Sequence, residues 1–121
     1  MQMGVDVTLN STGTHLFRRA QHDAGHVREW LAIGNVLVTD TGGAANINCK
    51  LWDGTIVADS DTSRPSGANT LVGSITLVGI ISNPVANIRI SCNDVTATTG
   101  KILFNNSSNS KDGSIFGIRL Q

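Results

Sequence analysis

Residues 45–60 read ANINCKLWDGTIVADS, and the fold turns on them. Ala45, Ile47, Cys49 and Leu51 share one phase; Asn46, Asn48, Lys50 and Trp52 share the other. Apolar and polar residues alternating at period two predict a half-buried strand. Asp53-Gly54 follows, a two-residue hairpin signal, because a type I′ turn needs positive φ at both central positions. TIVADS (55–60) is then the returning strand. Asp53 therefore reads as a turn residue rather than a catalytic acid. Trp52, in the out-facing phase, reads as a contact residue rather than a sugar-stacking platform. On this reading Asp53→Asn changes little, since Asn-Gly makes the same turn. Gly54→Val costs about 1 kcal/mol or more, since a β-branched residue resists positive φ.

The same grammar extends in both directions. Val5, Val7 and Leu9 predict a short strand at 4–10. THLFRRAQHDAGHVR (14–28) has no period-two pattern and predicts one helical turn or an extended arm. EWLAIGNVLVTD (29–40) is a long strand, with Gly34-Asn35 expected as a bulge that shifts its phase. DTSRPSGA (61–68) is a loop. TLVGSITLVGIIS (70–82) is the most apolar strand, ended by Asn83-Pro84. VANIRISCN (85–93) puts Ala86, Ile88, Ile90 and Cys92 inward. KILFN (101–105), the polar loop 106–113 and SIFGIRLQ (114–121) complete the chain. About eight short strands with turn signals between them predict an all-β fold, an antiparallel, jelly-roll-like β-sandwich. Residues 29–121 form the sandwich and 1–28 an N-terminal strand and irregular arm, within one domain.

Composition agrees. The 121 residues fit one domain with a feasible core. Glu occurs once, at Glu29, and Gly, Asn, Ser and Thr are abundant, which suits strands and turns rather than helices. Nine basic and nine acidic residues balance, and only 15% are charged. That leaves no basic footprint for nucleic acid and no polybasic membrane anchor. Near-zero net charge permits close self-association. MQMGVDVTLN has no basic-then-apolar pattern and is not expected to be a secretory signal.

No catalytic constellation emerges. Asp40, Asp53 and Asp112 lie at turns, and one Glu cannot supply a carboxylate pair. No G-x-S-x-G or phosphate loop is present. His22 and His26 stand four apart, with His15 upstream, but Gly25 interrupts the helix that would align them as metal ligands. Asp59 and Asp61 could offer oxygens to calcium, though without EF-hand spacing. Cys49 and Cys92 both fall on inward phases, either as free buried thiols or joined across the two sheets; free thiols are the expectation. No enzyme activity, cofactor or metal is expected.

Strand 70–82 is apolar in both phases. Leu71, Ile75, Leu77 and Ile81 face one way, and Val72, Val78 and Ile80 the other. A strand with one wet face should not be. Either a flanking segment such as 14–28 or another subunit must cover the second face.

WLAIGNVLVTDTGG (30–43), NCKLWDGT (48–55) and SNPVANIRIS (82–91) together resemble small β-sandwich virion proteins of tailed bacteriophages, the capsid decoration (cement) and fibre-type appendage proteins. The resemblance implies a non-enzymatic structural protein, commonly a homotrimer, that docks on a major capsid protein or another virion protein. It implies a place on the outer capsid or an appendage after synthesis in the bacterial cytoplasm. Trp52, Val72, Val78, Ile80, Phe17, His22 and His26 are the expected oligomer or lattice contacts. The alternative is a carbohydrate-binding receptor-recognition module of a tail appendage, using Asp59, Asp61 and Asn69 with Trp52.

Overall fold

A computed structural model describes residues 28–40, 46–64, 72–95, 99–103 and 112–120, together with the backbone of 7–8 and 14–18. Among them are nine strands and no helix: β1 (Val7–Thr8), β2 (Thr14–Arg18), β3 (Glu29–Asp40), β4 (Ile47–Trp52), β5 (Val57–Ser63), β6 (Val72–Ser82), β7 (Ile88–Asp94), β8 (Gly100–Leu103) and β9 (Ser114–Arg119). They form two antiparallel sheets. The first runs β1-β8-β3-β6, with β9 also paired to β3; the second runs β2-β7-β4-β5. β3 is long enough to hold two partners along one edge. Trp30–Asn35 pair with β9 and Leu37–Asp40 with β8.

The pairs nest. β4 pairs with β5, β3 with β6, β2 with β7 and β1 with β8. Strands β1 to β8 thus follow the path of one long hairpin, tipped by residues 53–56, whose successive rungs fall in alternate sheets, and β9 adds to β3 outside it. Segment 14–18, read from sequence as a helical turn or arm, is strand β2 on the edge of the second sheet. Residues 19–27, with His22 and His26, lie outside the described residues.

One core joins the sheets. Ala32, Val36, Val38, Ile75, Leu77, Ile81, Ile102 and Ile115 come from the first; Ile47, Cys49, Leu51, Ile88, Ile90 and Cys92 come from the second. The period-two reading of 46–52 and 72–82 therefore holds. The expected bulge at Gly34-Asn35 does not occur: β3 pairs with β6 in unbroken register from Glu29 to Thr39. Gly34 stays in the inward phase, and a Cβ there would overlap Ile90 Cδ1 of the facing sheet. Glycine at 34 is thus a packing requirement, not a change of phase. The register shift falls instead between Leu51 and Trp52 on β4 against β5. β5 runs on to Ser63, into the stretch expected as loop. Ala86 is exposed, because β7 starts only at Ile88.

The cysteines are not free. Cys49 and Cys92 form a disulfide between directly opposed positions of β4 and β7, with Cα atoms 4.1 Å apart. The bond lies within one sheet rather than across the two. At sequence level both inward phases were visible, but the register that makes them neighbours was not.

Candidate functional surfaces

Asp53 sits at the hairpin tip with no exposed surface. Its Oδ1 accepts the N–H groups of Thr55 at 2.8 Å and Ile56 at 2.7 Å. Its Oδ2 accepts the N–H of Val85, in the β6–β7 turn, at 2.9 Å. The Asp53 N–H closes the loop onto the Ile56 carbonyl at 3.2 Å. The turn is therefore not type I′: Gly54 has positive φ, at 100°, and Asp53 does not. A Cβ at Gly54 would stand 2.5 Å from Arg89 Nη2, the end of a flexible side chain that can move aside, so the positive φ is what selects glycine. Burial raises the Asp53 pKa, but the N–H groups of Ile56, Val85 and Thr55 outweigh it and leave the carboxyl below its ordinary 3.8. The ionised carboxylate clamps two loops, a role for which Asn is no substitute.

The adjoining turn has its own lock. Asn83 takes φ 48°, a left-handed conformation that Asn tolerates. It exchanges two bonds with Arg28: its N–H donates to the Arg28 carbonyl at 2.6 Å, and its Oδ1 accepts the Arg28 N–H at 2.8 Å.

The remaining acidic candidates also serve structure. Asp59 Oδ2 accepts the Val78 N–H of β6 at 2.9 Å, which closes a sheet edge with a charged side chain. Asp61 Oδ1 accepts the N–H of Thr62 at 2.7 Å. Asp40 accepts the Thr99 hydroxyl at 2.9 Å and Asp94 the Gly100 N–H at 3.0 Å. Among the described residues no three His, Cys, Asp or Glu side chains gather as metal ligands.

The outer face of the first sheet carries an apolar grid. Ile80, Leu31 and Ile118 form one cross-strand row over β6, β3 and β9; Val78, Ile33 and Phe116 form the next. Phe116 is 58% exposed and Ile80 55%. Polar residues bound the grid on β3 and β6, Glu29 beside Ser82 at one end and Asn35 between Thr76 and Ser114 at the other, while exposed Leu120 adjoins Glu29 past the end of β9. Val78 and Ile80 were expected contacts. Leu31, Ile33, Phe116 and Ile118 share their face and were not singled out, although SIFGIRL and EWLAI share the signature that marked 70–82, apolar residues in both phases. Val72 is also exposed but lies on β6 opposite Thr39, about 20 Å from Val78 by strand rise. Phe17 belongs to β2 in the other sheet, opposite Arg89.

Trp52 is on the opposite side of the molecule, on the outer face of the second sheet. Lys50 Nζ stands 3.4 Å from its ring centroid and the Arg89 guanidinium carbon 4.9 Å. Its Nε1 donates to Ser91 Oγ at 2.6 Å. Two cations and a hydrogen bond hold the indole, so it is neither a bare stacking platform nor part of the apolar grid. Val57, half-exposed, pairs with Trp52 on β5, and beyond it the described residues over β7, β4 and β5 are polar. Asn93, Asn48 and Thr62 form one row over β7, β4 and β5; Ser91, Lys50 and Ser60 form the next. These six residues line an open depression of about 370 Å³. No protein-family model, curated protein or solved structure matches this chain.

Proposed function

We propose that this chain is a non-enzymatic structural protein of a phage virion. It associates with itself, as a homotrimer, and docks on the capsid surface as a decoration (cement) or head-fibre protein. The apolar grid on the outer face of β6, β3 and β9 carries the reading. Six apolar side chains in two adjacent rows make a patch that water disfavours. Each ~100 Å² of apolar surface withdrawn from water contributes about 2.5 kcal/mol. The strand orders β1-β8-β3-β6 and β2-β7-β4-β5 support a jelly roll, an architecture that recurs in viral capsid domains. The trimer and the capsid follow from the resemblance of 30–43, 48–55 and 82–91 to phage decoration proteins.

Light scattering on the purified chain tests the association. A concentration-dependent oligomer is expected, and Ile33→Lys, at the grid's centre, should shift it to monomer. A wild-type chain that stays monomeric at high micromolar concentration would defeat the reading. The coding sequence beside a major capsid gene is the expected setting; a setting among tail genes would move the protein to an appendage.

A further inference from the structure

We infer that the outer face of the second sheet is a binding site for a neutral saccharide, one or two rings of a glycan. The inference stands apart from self-association, which uses the other sheet. Its first support is shape. The depression over β7, β4 and β5 holds about 370 Å³, within the range of small-ligand sites. Its second support is chemistry. Sugar hydroxyls both donate and accept, so a site for them must offer both on fixed supports. Asn48 and Asn93 each carry a carbonyl and an NH₂; Ser60 and Thr62 carry exposed hydroxyls; Lys50 adds a donor, and buried Ser91 lies beneath as support. All six stand on paired strands, in two rows about 7 Å apart by strand rise.

The supports are held from within. Thr62 Oγ1 donates to Asn48 Oδ1 at 2.7 Å, which turns the amide oxygen toward β5 and leaves its NH₂ as a donor. Trp52 Nε1 fixes Ser91 Oγ, and the Lys50 ammonium rests on the indole. The disulfide joins Cys49 and Cys92, so the strands cannot part beneath the site. Such preorganisation lowers the entropic cost of binding.

Other ligand classes fit less well. An apolar ligand would find no apolar side chain among the six. A nucleobase would find Trp52, the one aromatic among the described residues beside the site, already occupied by cations. An anion would meet Asp61 in the same lining, which offsets Lys50. Calcium-bridged sugar binding would need a carboxylate cluster that the described residues do not form. Of the residues picked out in the sequence, Asp61 lines the depression, Asp59 is committed to Val78, Trp52 supports rather than stacks, and Asn69 lies outside the described residues.

The test is a titration of the ¹⁵N-labelled chain with maltose, cellobiose, lactose and N,N′-diacetylchitobiose, with EDTA present. At least one disaccharide should give saturable amide shifts confined to 48–50, 60–62 and 91–93, with a Kd of about 1 mM, as expected for an open polar site. Asn48→Ala and Asn93→Ala should each weaken binding tenfold or more, and Thr62→Val provides the same check if either fails to fold. Ile33→Lys should bind as the wild type does. No saturable shift with any probe, or shifts that persist in the folded variants, would overturn the inference.

Discussion

The two outer faces are built to one plan and filled with opposite chemistry. Each offers two cross-strand rows over three antiparallel strands. On the first sheet the six positions are Ile80, Leu31, Ile118, Val78, Ile33 and Phe116; on the second they are Asn93, Asn48, Thr62, Ser91, Lys50 and Ser60. Both sheets turn their other face to one shared core. Core burial therefore demands only half of each strand's sequence. The free half can differ between sheets: one face disfavours water and the other hydrogen-bonds with it.

Breaking the cross-link should separate the faces most sharply. The Cys49–Cys92 bond spans 43 residues, and closing a loop of that size is worth about 4 kcal/mol on the chain-entropy account. Cys49→Ala with Cys92→Ala should lower the chemical-denaturation free energy by roughly that amount. The polar face should loosen more than the apolar one, as hydrogen exchange at Asn48–Lys50 against Leu31–Ile33 would show. Equal loosening would mean that the two sheets behave as one unit.

Asp53 comes next. It joins the hairpin tip of the second sheet to the turn through which β6 of the first reaches β7. Asp53→Ala leaves three N–H groups without their acceptor and should cost about 3 kcal/mol; Asp53→Asn keeps one acceptor oxygen and should cost about 1–2 kcal/mol. The expectation drawn from the D-G motif, that Asn would do little, is reversed. Because the folded pKa lies below 3.8, the carboxylate's contribution is complete above that value and is lost as pH falls through the folded pKa. Thermal melts of the wild type should steepen in that acid window, and the Asn variant should lack the added slope. Identical pH profiles would remove Asp53 from its role as clamp.

The smallest effect on folding belongs to the apolar face itself. Ile33 is 37% exposed, so Ile33→Lys should alter monomer stability by only about 0.5 kcal/mol while abolishing association. A large loss of stability would place Ile33 in the core rather than on a contact surface.

Phase was legible in the sequence and partnership was not. The alternation of Ile47, Cys49 and Leu51 against Asn48, Lys50 and Trp52 assigned both sides of β4 correctly, because side-chain direction in a strand is local. The Val85 N–H that completes the Asp53 clamp lies 32 positions away, and no local rule reaches it. Gly34 misled for a related reason. Glycine in a strand suggests a bulge, but what selects it here is Ile90 of the facing sheet. The apolar grid was half visible: Val78 and Ile80 stood out within one strongly apolar strand, whereas Leu31, Ile33, Phe116 and Ile118 form a patch only once three strands are aligned.

The nested pairing also sets a schedule. Only the rung at the tip, β4 with β5, joins neighbours in the chain; each further rung must close a longer loop, until Val7 meets Ile102. Loop closure of that order makes assembly slow and directional, from the tip outward. On the ribosome, β1 to β3 emerge long before their partners and must wait with unpaired edges. Pulsed hydrogen exchange during refolding should protect Lys50 and Ser60 first and the β1–β8 rung last.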